Sequence, residues 1–215
     1  VPNLKNLSIL FFLTVLTSNV LFSQNFLKTS GRNIINQNGD TIVLRGMGLG
    51  GWMVQEGYMM APGGFSGTQF QIRDNITDLI GEEETENFYN KWLNNHVRKI
   101  DIDSMKACGF NLVRVPIHYN LFTKPIEEET FPGSYTDIEK GYTLLDSLLE
   151  WCKVNEMYMM IDLHAAPGGQ GYNADISDYD SSKFSLWESV ANQDKTVELW
   201  KRLSQRYKKS FFCIR

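Results

Sequence analysis

The chain has 215 residues, of which 42% are hydrophobic and 21% are charged; this composition is typical of a globular protein and excludes a largely disordered one. The formal net charge of -4 provides no basic surface for nucleic acid, so we expect no nucleic-acid partner. The three cysteines, Cys108, Cys152 and Cys213, are too widely spaced for a disulfide framework or a zinc site, and Cys108 and Cys152 are predicted to be core residues of helices.

The N-terminal 24 residues have the pattern of a secretory signal peptide. Lys5 precedes an apolar run, Leu7 to Phe22, which is interrupted by polar residues and is shorter than the ~20 residues needed to span a bilayer. We therefore predict that residues 1–24 are removed; a buried helix or a membrane anchor is the alternative. After cleavage no membrane span is expected, and the protein is predicted to be secreted, periplasmic or at the cell surface.

The next predicted elements are a hairpin and a strand. Residues 33–46 contain two apolar runs on either side of Asn38-Gly39, a pair that favours the left-handed conformations of a tight turn. The second run continues into a strand that breaks up into glycines. A long glycine-rich segment follows, then a helix that starts at Gly81 and a further helical pattern that ends at the cap residue Gly109.

Two strands alternate with helices in the second half of the chain. Residues 110–116, FNLVRVP, predict a short strand ended by Pro116, and residues 157–164, MYMMIDLH, predict the next one. Residues 142–152 and 195–209 have the apolar periodicity of helices. The buried stripe of the last helix is predicted to consist of Val197, Trp200, Leu203 and Tyr207.

This alternation predicts an α/β fold with a parallel sheet, because apolar strands joined by helices are typical of such sheets. It leaves two architectures open, a doubly wound open sheet and a (β/α)8 barrel. No G-x-G-x-x-G opens a helix, and PGGQG at residues 167–171 lacks the Lys-Ser/Thr of a phosphate loop. We therefore predict no nucleotide site and no cofactor.

Polar side chains follow the strand ends, where parallel α/β folds bind their ligands. The first strand leads to Trp52 and Glu56. The second carries Arg114 and the third ends in His164, and the alternation of side chains along a strand places both, with Asp162, on one rim. Each has a plainer explanation: a structural ion pair with the next strand for Arg114, a turn position for His164, a core position for Trp52 and a solvated carboxylate for Glu56.

Three motifs in order, LRGMGLGGWMVQEG, GFNLVRVPIHY and IDLHAAPGGQ, resemble the first three strand ends of glycoside hydrolase family 5. The likeness is greatest to the cellulases and exo-β-glucanases of that family, and it extends from about Ile34 to Lys208. It implies a (β/α)8 TIM barrel that hydrolyses β-glycosidic bonds with retention. The expected partner is therefore a β-linked polysaccharide or oligosaccharide.

The resemblance also implies roles for individual residues. Arg114 matches the arginine that hydrogen-bonds the nucleophilic carboxylate, and His164 matches the histidine that lines the subsite of the cleaved sugar. Both are predicted to support catalysis. Glu56 matches a glutamate that contacts the same sugar in related exo-glucanases. Further predicted substrate-binding residues are Trp52, Tyr119 and Tyr172, whose flat rings suit the apolar face of a pyranose.

The two catalytic glutamates of the family have no counterpart in this sequence. In the family the acid/base follows the fourth strand and the nucleophile follows the seventh, whereas about three βα units are predicted here. We therefore expect residues 25–209 to be the N-terminal part of a catalytic barrel and residues 210–215 to be a tail that does not match it. The chain alone is expected to be inactive and poorly folded, with the third strand, Met157 to Ile161, as an open edge.

Two other functions fit parts of the pattern. One is a non-catalytic carbohydrate-binding remnant that uses Trp52, Glu56 and His164 without the catalytic acids. The other is a metal-dependent hydrolase barrel built around His164. Such barrels bring His-x-His or several carboxylates to one strand end, whereas IDLH brings one aspartate and one histidine, so we predict no metal site.

Overall fold

The computed structural model of the protein describes residues 26–60, 67–210 and 212–214. The strands are β1 (Lys28–Ser30), β2 (Asn33–Ile35), β3 (Gly46–Gly48), β4 (Leu112–His118), β5 (Tyr158–Ala165) and β6 (Cys213–Ile214). The helices are α1 (Gly57–Met60), α2 (Gln69–Ile80), α3 (Glu82–Asn95), α4 (Lys99–Ala107), α5 (Glu139–Val154), α6 (Ala174–Ser177) and α7 (Val190–Tyr207), with 3-10 turns at Tyr119–Leu121 and Ile126–Glu128. The predicted signal peptide lies outside the described residues, and none of the described helices is long and apolar enough to cross a membrane.

The described residues divide into two units, residues 26–42 and the described residues from 43 onward. In the first unit β1 and β2 form an antiparallel pair, a hairpin that the sequence does not predict. The predicted turn at Asn38-Gly39 follows β2: the N–H of Asn36 donates to the carbonyl of Asp40 at 3.0 Å, and Gly39 has a φ of 86°. The strand expected after this turn is reduced to a single antiparallel bridge at Thr41.

The second unit is built on a sheet of four parallel strands in the order β3-β4-β5-β6. Gly46 of β3 lies opposite Leu112 of β4, which lies opposite Tyr158 of β5. Helices separate these strands along the chain. Neighbouring parallel strands joined by helices are the arrangement that the alternation in the sequence predicts.

The edge of the sheet differs from the sequence-based expectation. β6 pairs with β5, with Met159 opposite Cys213 and Met160 opposite Ile214. The expected open edge at Met157 to Ile161 is therefore wrong for these two positions of β5. β6 lies within residues 210–215, so part of the segment that the sequence sets aside as a tail extends the sheet.

Strand β4 continues through Pro116 to His118, two residues beyond the predicted end. Along this strand the N–H of Leu112 donates to the carbonyl of Arg45, and the carbonyl of Arg114 accepts from the N–H of Leu49, so both groups point to the side on which β3 lies. Pro116, two residues further, would direct its N–H to the same side, where β3 has already ended at Gly48. The proline therefore removes no ladder hydrogen bond, which is the condition under which strands accept it.

One face of β4 and β5 forms the core. Val113, Val115 and Ile117 of β4 are completely buried, as is Met159 of β5. They pack with apolar residues of α5 (Leu145, Leu148, Leu149 and Cys152) and of α7 (Leu199, Leu203 and Tyr207). Since side chains alternate across a strand, the other face of the two strands carries a different set. That set is Leu112, Arg114, Met160, Asp162 and His164.

Three sequence-based placements are wrong. Helix α2 occupies part of the segment expected to be a glycine-rich loop; it buries only Ile72, so its apolar periodicity is weak. Val197 is 52% exposed, and Leu199 takes its place in the buried stripe of α7. Cys108 is exposed, because it lies at the end of α4, while Cys152 is buried as expected.

Candidate active site

Three side chains meet on the open face of the sheet, near the carboxyl ends of its central strands. Nη2 of Arg114 forms a salt bridge with Oδ2 of Asp162 and lies 3.1 Å from Nδ1 of His164. Nδ1 of His164 lies 2.9 Å from the same Asp162 oxygen. The predicted convergence of a cation, an imidazole and a carboxylate on one rim is therefore present in the structure. The alternative of an ion pair between Arg114 and an acid of the next strand is also realised, with Asp162 as that acid.

The protonation of His164 follows from its neighbours. A guanidinium can only donate hydrogen bonds and a carboxylate can only accept them, so Nδ1 can satisfy Arg114 or Asp162 but not both. The shorter contact is with Asp162, and the proton on Nδ1 donates to it. Nε2, on the other side of the ring, points away from Asp162 and towards Glu56.

Asp162 is the ionised anchor of this cluster. Burial opposes its ionisation, but the hydrogen bond from His164 and the charge of Arg114 outweigh that effect and lower the pKa of Asp162. The carboxylate in turn orients both neighbours. This is the usual way in which a carboxylate fixes the tautomer and the plane of an imidazole.

Glu56 reaches the cluster from the segment that follows β3. Its carboxylate is buried, with 4% of the side chain exposed, and Oε1 lies 3.7 Å from Nε2 of His164. That distance is too long for a direct hydrogen bond. A hydrogen bond to this carboxylate raises the pKa of Tyr58. Glu56 itself precedes the short helix α1, where its carbonyl accepts from the N–H of Met59 at 2.9 Å.

The Pro-Gly-Gly turn after β5 is packed too tightly for any other residue type. Gly168 and Gly169 have φ angles of 79° and 74°. A Cβ on Gly168 would lie 2.8 Å from the carbonyl oxygen of Phe184, and a Cβ on Gly169 would lie 2.9 Å from Cα of Tyr179. The two glycines therefore let two stretches of the following loop close around the turn.

Gln170 connects this turn to the site. Its Nε2 donates to the carbonyl of His164, and its Oε1 accepts from the N–H of Ala166 at 2.9 Å. Its own carbonyl accepts from the indole N–H of Trp187 at 2.7 Å. Gln170 and Trp187 cannot be recognised from the sequence as site residues, because these bonds join residues whose proximity depends on the loop conformation.

The predicted aromatic residues have different environments. Trp52 is 1% exposed and donates its indole N–H to the carbonyl of Leu93 at 2.8 Å, so its ring is a core element, and its role in sugar binding stays a prediction. Tyr119 is half-buried and stacks on His118 with a centroid distance of 5.0 Å. Burial raises the pKa of Tyr119, which keeps its hydroxyl protonated. Tyr172 is 79% exposed.

Within residues 26–60, 67–210 and 212–214, no group of three or more histidine, cysteine, aspartate or glutamate side chains could hold a metal ion. The polar side chains of the rim are instead hydrogen-bonded to each other. Such a rim offers fixed donors and acceptors to a polar, uncharged ligand.

Residues 66–213 match the family model described as cellulase (glycosyl hydrolase family 5). A beta-xylosidase of Phanerodontia chrysosporium is 35% identical over 184 residues, which is 85% of this chain and 36% of that protein. A probable glucan 1,3-beta-glucosidase A of Aspergillus clavatus is 26% identical over 203 residues, which is 92% of this chain and 44% of that protein.

A solved structure gives a comparison of the fold. The crystal structure of rutinosidase from Aspergillus niger matches with a TM-score of 0.58 and 17% identity, over 77% of this chain and 46% of that chain. At this identity the likeness concerns the fold alone. The chain thus spans less than half the length of each of these relatives.

Proposed function

Because the chain belongs to the cellulase family, glycosyl hydrolase family 5, we propose that the complete protein is a retaining β-glycosidase that hydrolyses a β-linked glucan or a related oligosaccharide. The names of two relatives, a beta-xylosidase and a probable glucan 1,3-beta-glucosidase, support a β-linked pyranose as the substrate. In this proposal residues 25–209, together with β6, form the N-terminal part of a (β/α)8 barrel.

The observation that carries the proposal is the approach of the Glu56 carboxylate to the imidazole of His164. Oε1 of Glu56 and Nε2 of His164 lie 3.7 Å apart, and Asp162 holds the imidazole from its other side. That distance is too long for a direct hydrogen bond, so both groups can bond a polar ligand. A pyranose suits them, because adjacent hydroxyl groups can donate to the carboxylate and form a hydrogen bond with the imidazole.

Arg114 has donors left for a catalytic carboxylate. Its salt bridge with Asp162 and its 3.1 Å contact with Nδ1 of His164 both use Nη2. A guanidinium carries five N–H groups, so Nε and Nη1 can donate to a nucleophilic carboxylate brought by another strand. Such bonds favour the charged form of that carboxylate and lower its pKa, which keeps the nucleophile ionised next to the acid/base. Asp162 holds the guanidinium in place for this role.

The two catalytic glutamates of this mechanism would follow the fourth and seventh strands of the barrel. The glutamates of the present sequence match neither position. β6 takes the fourth place in the sheet, so both acids are expected beyond it. In a retaining enzyme their carboxyl groups lie about 5–5.5 Å apart, one as nucleophile and one as acid/base. The 215-residue chain alone would then offer the sugar-binding rim but not the chemistry.

Export is part of the same proposal. A polysaccharide too large to enter a cell has to be hydrolysed outside the cytoplasm, and the apolar run from Leu7 to Phe22 after Lys5 has the pattern of a secretory signal. The protein would act as a secreted, periplasmic or cell-surface enzyme.

Hydrolysis by the complete protein tests this proposal. Purified full-length protein would be incubated with laminarin, cellulose and xylo-oligosaccharides, and the release of reducing sugar would be measured. We expect turnover of at least one of them, and none by the 215-residue chain under the same conditions. Folded full-length protein that binds these sugars without cleaving any of them would favour the carbohydrate-binding alternative and contradict the proposed activity.

A further inference from the structure

His118 and Asp178 form a buried pair beside the rim that has no part in the mechanism described so far. Nε2 of His118 lies 2.8 Å from Oδ2 of Asp178, and the two side chains are 1% and 12% exposed. Nδ1 of His118 accepts from the N–H of Asn120 at 3.1 Å, so the proton of the neutral ring is on Nε2 and donates to Asp178. Tyr119 covers one face of the imidazole.

Asp178 bonds a third segment as well. Its Oδ1 accepts from the N–H of Phe70 at 2.9 Å, in the first turn of α2. Burial opposes ionisation of Asp178, but the bonds from His118 and from the amides of Phe70 and Gln69 outweigh it and lower the pKa of Asp178. A carboxylate at the first turn of a helix is also stabilised by the helix dipole.

The backbone of Asp178 shows that this position is constrained. Its φ of 53° lies in the left-handed region, which costs a residue with a side chain about 1–2 kcal/mol. Next to it, Tyr179 packs against Gly169 of the Pro-Gly-Gly turn. The carboxylate is thus held in one orientation from both sides of the loop.

The first turn of α2 leads back to Glu56. Oε1 of Gln69 accepts from the N–H of Gln55 at 2.8 Å, and Gln55 is the residue before Glu56. Hydrogen bonds therefore run without interruption from His118 at the end of β4, through Asp178 and the start of α2, to the backbone that carries Glu56. This path is separate from the Arg114–Asp162 contacts that hold His164.

We propose that His118 and Asp178 are positioning residues that fix the carboxylate of Glu56 at its distance from His164. This inference rests on the proposed function, because it assigns the pair to the sugar subsite between Glu56 and His164. Neither residue touches the substrate. They act by tying the ends of β4 and α2 and the loop after β5 into one rigid support, and preorganisation of this kind lowers the cost of binding.

The test uses full-length protein with three substitutions. His118→Leu removes the donor, His118→Gln keeps an N–H donor of similar reach, and Glu129→Gln is a control that weakens a different buried ion pair, with Lys195, which has no bond to the Glu56 segment among the described residues. Hydrogen exchange of residues 52–58 by mass spectrometry and the KM and kcat for laminarin would be measured for each. Thermal melts would show that all variants fold.

We expect His118→Leu to increase exchange in residues 52–58 and to raise KM roughly tenfold, since a hydrogen bond to a charged group contributes about that factor or more. His118→Gln should keep the exchange of residues 52–58 and the KM close to their wild-type values, and Glu129→Gln should change neither quantity. Unchanged exchange in residues 52–58 for His118→Leu, or an equal change in the Glu129→Gln control, would overturn the inference. If the full-length protein hydrolyses nothing, the proposed function fails, while the exchange experiment still decides whether the pair supports Glu56.

Discussion

Glu56 and His164 face each other across 3.7 Å, although they are 108 positions apart in the chain; Glu56 follows β3 and His164 lies in β5. The carboxylate is buried next to the short helix α1, and the imidazole is held by Asp162 on the opposite side of its ring. Both side chains are thus held at the rim before any ligand arrives. The order of the strands brings them near each other, because β3 and β5 both flank β4.

The first prediction is that these two side chains act together on one sugar. In the full-length enzyme Glu56→Ala and His164→Ala should each raise KM about tenfold or more, because each removes a hydrogen bond to a substrate hydroxyl, charge-assisted in the case of Glu56. Their effects should not add in the double variant, since loss of one bond lets the sugar shift away from the other. Steady-state kinetics on laminarin for the wild type, the two single variants and the double variant measures this non-additivity as a double-mutant cycle. Additive effects, or single variants with unchanged KM, would show that the two residues do not share a ligand.

The second prediction concerns Arg114. Arg114→Ala should lower kcat about 100-fold or more, in the range found when a preorganised donor to a reacting group is removed. Its side chain is 44% exposed, so the thermal midpoint should change little. Arg73→Ala serves as the control. Arg73 is likewise an arginine in salt bridges, with two glutamates, but it lies on α2 and contacts neither Asp162 nor His164 within the described part of the chain. Wild-type kcat in Arg114→Ala would contradict the assigned role.

The third prediction separates backbone strain from close packing at the Pro-Gly-Gly turn. Gly133 and Gly168 both have positive φ, but a Cβ on Gly133 meets nothing within 4 Å, whereas one on Gly168 would meet Nδ2 of Asn192 at 2.3 Å. Gly133→Ala should therefore cost about 1–2 kcal/mol of unfolding free energy. Gly168→Ala should cost a further 1–3 kcal/mol or so, as overpacked sites do.

Urea denaturation of the two glycine variants measures this difference. Gly168→Ala should also weaken substrate binding, because the turn carries Gln170 and, through it, the backbone of His164. Equal losses of stability in the two variants would mean that the turn relaxes around the added methyl group.

The fourth prediction is a pH dependence at Glu129. Its carboxylate is 3% exposed and forms a salt bridge with Lys195. Burial opposes its ionisation, but hydrogen bonds from Lys195, Thr136 and Ser134 outweigh this and lower the pKa of Glu129 to about 2. A lowered carboxyl pKa stabilises the fold above the ordinary value of 4.5, and that contribution is lost as the pH falls towards 2.

Glu129→Gln should therefore be less stable than the wild type near pH 6, and the difference should shrink between about pH 4.5 and pH 2. Denaturation midpoints across this range test it. A difference that stays constant down to about pH 2 would show that the charge of Glu129 does not contribute to stability.

The sequence predicts the strand ends well, because their signal is local. The apolar runs that lead to Arg114 and His164 fix both the strands and the alternation of their faces, and the structure places Asp162 between them as expected. Trp52 is a different case: its burial depends on Leu93 of α3, which is distant in the chain, so the local sequence leaves a core position and a sugar-binding position both open.

Two further features could not be predicted from the sequence, for related reasons. Helix α2 is polar over most of its length, and the only strong local sign of it is the capping box formed by Thr68 and Gln71. The link from His118 to Asp178 spans 60 residues and depends on a left-handed backbone at an aspartate. Neither its partner nor its geometry is encoded in a periodic pattern.

The measurement that tests the central claim most directly is the stereochemistry of hydrolysis by the full-length protein. Proton NMR during the first minutes of the reaction with a short β-linked glucan distinguishes the anomer that is released first from the one formed later by mutarotation. We predict that the β-anomer appears first, because a retaining enzyme forms and hydrolyses a covalent glycosyl intermediate with a nucleophile that Arg114 keeps ionised. First release of the α-anomer, or no hydrolysis of β-linked glucans by the folded protein, would contradict this account.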